Sequence, residues 1–200
     1  MEDKTLTEIL EEVKNNTQNP ELVRDNKFYF DYEDRWYRVN MPNQKQLAEA
    51  NLLRNKIRIQ LAQKGKKEGF YFKEDLIKLL KDENIDINSM DEEVKILRKE
   101  YVQLAITVAK KKDNKIEDLE KRGKEIDDKI RDILNKKAEH LTPAIEYQAE
   151  DSWYKSLIAN CTEKQIEEKW ERVWKNFNEF QEDNSNLPYV AEAYLGSLIN

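Results

Sequence analysis

Apolar residues along the chain change their period several times, and each change marks an element. Leu6, Ile9, Leu10 and Val13 recur at helical spacing behind Thr5 and Glu8, which stand at capping-box distance, so a short amphipathic helix is predicted there. The run "NTQNP" stops it. From Lys27 the period falls to two: Phe28, Phe30, Tyr37 and Val39 alternate with Tyr29, Asp31, Trp36 and Arg38. A hairpin turning at Glu33-Asp34 sets Phe30 opposite Tyr37 and Phe28 opposite Val39 on a core-facing side. The other side mixes rings with polar partners, as a half-exposed surface does. Glu33-Asp34 is not the favoured Asn-Gly turn, which leaves a longer or bulged loop as the alternative.

After Met41-Pro42 the period becomes helical. Leu47, Ala50, Leu53, Ile57 and Leu61 form a stripe over Asn43 to Lys64, with Gly65 placed to end it. The linker "GKKEGFYF" leads, through Phe70 and Phe72 as anchors, into a short helix with Leu76, Ile77, Leu79 and Leu80 inward. Ser89 and Glu92 form a capping box before a long helix bearing Val94, Leu97, Tyr101, Leu104 and Val108 at heptad spacing. Beyond "KKKDNK" the spacing resumes with Ile116, Leu119, Gly123, Ile126, Ile130 and Ile133. Two such runs joined by a short polar loop predict an antiparallel helical hairpin. A fold-back near Lys112 sets Val108 opposite Ile116, Val94 opposite Ile130 and Tyr101 opposite Gly123, where the missing side chain makes room for the ring.

Thr142-Pro143 is read as N-cap and first helical position of a helix carrying Ile145, Ala149, Trp153, Leu157 and Ile158. Thr162 and Gln165 are read as a further capping box before a helix with Ile166, Trp170, Val173, Trp174 and Phe177 on one face. After "EDNSNLP" a last short helix carries Val190, Tyr194 and Leu198. The fold class expected is mainly α: a helical body with a small N-terminal β-hairpin and a long antiparallel helical hairpin, a coiled-coil arm. The expected division is 1–88 for the N-terminal helix, hairpin and helices, 89–138 for the arm, and 139–200 for C-terminal helices that pack on the N-terminal part.

Composition agrees with long helices: of 200 residues, 38% are hydrophobic and 38% charged, with four Gly and four Pro. With 35 basic against 41 acidic side chains and a net charge of −6, the chain has no field that gathers a polyanion, so nucleic acid is not the expected partner. The one cysteine, Cys161, cannot form an internal disulfide, and no cationic and apolar leader pattern precedes the first predicted helix, so a reducing interior is expected. No apolar run reaches the length of a membrane span, and no membrane association is expected.

Catalytic and metal chemistry find little to work with. One His and one Cys do not make a ligand set, and His140 stands just before a predicted helix cap, where a solvated or capping role is ordinary. Glu146 and Glu150 lie one turn apart, but the Glu-x-x-His motifs of a di-metal bundle are missing. Cys161 has no histidine base in its neighbourhood of sequence, and Gly65 and Gly69 are not part of a phosphate loop. No enzyme activity, metal or cofactor is expected. Trp153, Trp170 and Trp174 read as core. The clusters Lys64-Lys66-Lys67 and Lys110-Lys111-Lys112 read as solvated helix ends. The candidate contact residues for a partner are Tyr29, Trp36 and Arg38, of types enriched at binding hot spots, with Lys110, Lys111 and Lys112 at the tip of the arm.

The order of parts carries a resemblance. The aromatic hairpin, "MPNQKQLAEANLLRNK", "FYFKEDLIKLL", the charged helical hairpin, "LTPAIEYQAEDSWYKSLIANCT" and the Trp-rich "ERVWKNFNEF" together resemble small helical tail or baseplate assembly proteins and assembly chaperones of large contractile-tailed bacteriophages. The resemblance covers nearly everything beyond Asn26 and includes no catalytic signature. It implies a non-enzymatic, chaperone-like assembly factor that binds other phage tail or baseplate proteins in the host cytoplasm. The alternatives are a minor structural subunit that stays in the virion, or a phage protein that binds nucleic acid or a host enzyme.

Overall fold

The computed structural model describes residues 22–110 and 116–199. The helix expected around Leu6 to Val13 lies outside them. The described elements run β1 (Val23–Arg24), β2 (Lys27–Tyr32), β3 (Arg35–Asn40), α1 (Gln44–Lys64), a 3-10 turn (Gly65–Glu68), α2 (Lys73–Asp82), α3 (Ile87–Lys110), α4 (Ile116–Leu141), α5 (Ile145–Cys161), β4 (Thr162–Ile166), β5 (Lys169–Arg172), α6 (Phe177–Glu182) and α7 (Leu187–Ile199). The chain divides into two compact units, Met1–Ile57 with Ala149–Asn200, and Arg58–Gln148.

The first unit is built on one antiparallel sheet with the order β1-β2-β3-β4-β5. Asp25-Asn26 and Glu33-Asp34 turn the first two hairpins with positive φ throughout, 51°, 59°, 50° and 58°. That is the requirement of a tight two-residue turn whose twist matches the strands, so the second turn needs neither a bulge nor a longer loop. The register of β2 on β3 is the one the alternation predicts, Phe28 opposite Val39, Tyr29 opposite Arg38, Phe30 opposite Tyr37 and Asp31 opposite Trp36. Phe28, Phe30, Tyr37 and Val39 are buried beneath α7 and α5, where the Tyr194 ring lies 4.3 Å from Phe28 and 4.5 Å from Phe30. Leu157, Ile158, Cys161, Trp174, Phe180, Val190 and Leu195 complete this core, and Trp153 packs half-buried against it. Asn43 and Gln46 exchange side-chain bonds with each other's backbone N–H at 2.9 Å to start α1, and Gly65, at φ 61°, ends it where the sequence places the stop.

The five-stranded sheet overturns the expectation of a mainly α, all-helical body with only a small hairpin: the fold is mixed α and β. The error lies at Thr162–Phe177. Ile166, Trp170, Val173, Trp174 and Phe177 do recur at helical spacing, yet residues 162–172 form a hairpin that turns at Glu167, φ 54°. The Thr162 hydroxyl donates to the Ile158 carbonyl at 2.7 Å, so it closes α5 where a cap for a new helix was expected, and Thr162 then pairs with Val39. A free edge of β3 needs donors and acceptors for its backbone, and satisfying it outweighs a weak local helix preference.

The second unit holds α2, α3 and α4. Its small core joins Leu76, Leu80, Ile87, Leu141 and Ala144. The α3 and α4 helices form the expected antiparallel hairpin, tied across by Arg122 to Glu100 at 2.9 Å, Lys129 to Glu93 at 2.8 Å and Lys137 to Asp91. Val94, Leu97 and Ile126 are buried between them, and a methyl group added to Gly123 would stand 3.7 Å from the Tyr101 ring, so these two positions are neighbours as predicted. Two caps differ from expectation. Asp86, not Ser89, starts α3, because its carboxylate accepts from the backbone N–H of Asn88 at 3.0 Å and Ser89 at 3.2 Å. Thr142 donates back to the Ala138 carbonyl at 3.0 Å and so finishes α4.

Candidate functional site

The buried face of the sheet leaves its other face to be explained. There the register sets Tyr29, Arg38, Glu163 and Arg172 in one row across β2, β3, β4 and β5. Arg38 reaches Glu163 through Nε and Nη2, each 2.6 Å from Oε2, with the two side chains only 17% and 23% exposed. The guanidinium carbon lies 4.5 Å from the centre of the Trp170 ring, and the Tyr29 ring meets Trp170 edge-on at 5.7 Å. Desolvation under two rings strengthens the ion pair and the cation–π contact together. Arg38 is therefore committed to holding β3, β4 and β5 in register, and Tyr29 helps to cover it.

Trp36 is different. It stands 48% exposed on the same face, opposite Asp31. With Leu22, Arg24 and Tyr29 it lines an open pocket of about 460 Å³. One wall is aromatic and aliphatic, and Arg24 supplies a cation that makes no ion pair among the described residues. Neighbouring Lys27, paired with Arg24 across the strands, adds a second positive charge. Of the three hairpin residues singled out by sequence, the structure thus brings Tyr29 and Trp36 to one pocket and takes Arg38 into a structural cluster.

Lys110 is the last residue of α3, and Lys111 and Lys112 lie outside the described residues. In the other basic cluster, Lys64 pairs with Glu68 at 3.3 Å and Lys66 with Asp75 at 3.1 Å, which leaves little charge for a phosphate backbone. Glu146 and Glu150 serve separate purposes, Glu146 accepting from the backbone N–H of Lys73 at 2.8 Å and Glu150 pairing with Arg54 at 3.0 Å. Burial pushes the Cys161 thiol up to about 12, outweighing nearby Arg172, so the sulfur stays protonated and unreactive at neutral pH. Among the described residues no group of three or more His, Cys, Asp or Glu could hold a metal ion, and no helix is long and apolar enough to cross a membrane.

Arg24, Leu22, Glu163 and Trp170 are the members of this face that sequence reasoning missed. Arg24 had a local signal, since Asp25-Asn26 is a turn pair between short extended runs. Glu163 had none, because its partner lies 125 residues away. No protein-family model matches the chain, and no curated protein or solved structure does so either.

Proposed function

We propose that the protein is a non-enzymatic assembly factor that acts by binding another protein, and that Trp36 and its pocket take up the partner. The observation that carries this reading is an exposed tryptophan beside a pocket of Leu22, Tyr29 and Arg24, on a sheet face held by the Arg38–Glu163–Trp170 cluster. A rigid aromatic anchor beside an unpaired cation is the arrangement of a protein-binding hot spot. The occupant it suits is a protein segment that inserts one apolar side chain and places an acidic residue against Arg24. A phage tail or baseplate protein as that partner is supported by the resemblance in segment order.

The test is affinity capture from phage-infected cells, with captured proteins identified by mass spectrometry. A tail or baseplate protein retained by the wild type and lost with both Trp36→Ala and Arg24→Glu, at unchanged melting temperature, supports the proposal. Capture that persists in both variants refutes it.

A further inference from the structure

The chain itself contains a segment with the chemistry that the Trp36 pocket asks for. Residues 1–21 end where the pocket begins, because Leu22, the first described residue, is one of its walls. Within them Leu6, Ile9, Leu10 and Val13 stand at helical spacing before "NTQNP" stops the pattern. At 3.6 residues per turn these four fall in one stripe, with Glu11 and Glu12 on its two sides and Glu8 behind it. Such a stripe needs a surface to cover it. Residues 1–21 carry six acidic side chains against two basic ones, Lys4 and Lys14.

The pocket has the opposite charge and lies within reach. The backbone N–H of Tyr29 donates to the Leu22 carbonyl at 2.9 Å, so Leu22 stands beside Tyr29, and Arg24 follows two residues later along β1. Arg24 makes no ion pair among the described residues, and Lys27 stands opposite it in the register. The eight residues from Lys14 to Glu21 span up to about 27 Å when extended, whereas β1 to β3 is two strand spacings, about 10 Å. The stretch from Leu6 to Val13 is about 12 Å long as a helix, which matches the width of these three strands.

We propose that in the unbound chain the stretch from Thr5 to Val13 packs over the Trp36 pocket, its apolar stripe on Leu22, Tyr29 and Trp36 and its acidic side toward Arg24. Segment and partner then compete for one pocket, a consequence that rests on the function proposed above. The experiment reads the segment alone, so that either reading can fail without the other.

The test is fluorine NMR on the full chain labelled with fluorotryptophan. Trp36 gives one of four tryptophan signals, assigned by its loss in Trp36→Phe. Leu6→Ser together with Leu10→Ser should move the Trp36 signal and raise its solvent isotope shift. The signals of Trp153 and Trp174, which pack in the core, should stay in place. Glu11→Lys with Glu12→Lys should move the Trp36 signal in the same direction, and adding Arg24→Glu and Lys27→Glu should bring it back, because the charges then attract again. A Trp36 signal unchanged by the two serine substitutions overturns the proposal. So does a failure of the charge exchange to bring the signal back, or a signal that moves with protein concentration, which would make a second copy the occupant.

Discussion

Gly123 offers a direct measure of how the α3 and α4 pair is packed. It is half-buried in the interior of a helix, where glycine costs about 1 kcal/mol relative to alanine because the unfolded chain has more freedom to lose. Among the described residues, the non-local atom within reach of an added methyl is Cε2 of Tyr101 at 3.7 Å, an ordinary van der Waals distance. No overlap opposes the gain, so Gly123→Ala should stabilise the protein by about 0.5–1 kcal/mol, which for a chain of this size raises the melting temperature by roughly 1–4 °C. Gly123→Leu adds three further carbons in the direction of the Tyr101 ring. It should fall below Gly123→Ala by about 1–3 kcal/mol, the range of overpacking. Urea unfolding followed by circular dichroism, with all three proteins compared at equal slope, measures both steps. A loss of stability in Gly123→Ala, or equal stability of the leucine and alanine variants, would show that the ring does not occupy the space the glycine leaves.

Two more measurements address the first unit. Trp174 is buried, stacks edge-on against Phe180 at 4.9 Å and donates from Nε1 to Asp183 at 2.8 Å, so Trp174→Ala should cost roughly 3–5 kcal/mol by urea unfolding; a loss below about 1 kcal/mol would remove it from the core. Burial acts to raise the Asp183 carboxyl, but hydrogen bonds from the Ser185 side chain and backbone and from Trp174 outweigh it and hold the group below the ordinary aspartate value. The stability this contributes is present above the unfolded value of about 4 and is lost as pH falls through the lower folded value, so wild type should exceed Asp183→Asn by a constant margin at neutral pH and by a shrinking one below about pH 4. A margin that grows on acidification would reverse the sign of the linkage.

Local chemistry made much of the fold legible. The β2–β3 register follows from strict alternation between two turn residues, and the stop of α1 follows from Gly65. The contact between Tyr101 and Gly123 could be read from heptad positions and a fold-back point alone. What could not be read was the second hairpin. Residues 162–172 carry a sound amphipathic helical pattern, and the feature that decides against it, the unpaired edge of β3, lies more than a hundred residues earlier in the chain. The candidate site failed in the same place. Arg38 reads from sequence as a free cation among aromatics, and only the arrival of Glu163 and Trp170 converts it into a strut. Trp36 was legible because no distant strand or helix among the described residues comes to cover it.

The pairing of β3 with β4 also sets a clock. The second unit is inserted between the strands, so Val39 is synthesised long before its partner Thr162. At about 5–20 residues per second, the intervening stretch takes on the order of 10 s to leave the ribosome. During that interval the nascent chain holds Phe28, Phe30, Tyr37 and Val39 on an open ribbon, without the α5 and α7 residues that later bury them. A two-stranded ribbon with an apolar face is marginal by itself in water and invites pairing with other strands. The inserted helices, whose contacts are mostly local, can fold while the ribbon waits. Translation speed across residues 58–148 therefore governs how long the most aggregation-prone surface of the molecule stays uncovered, and a slow stretch there should lower the soluble yield more than one placed after Arg172.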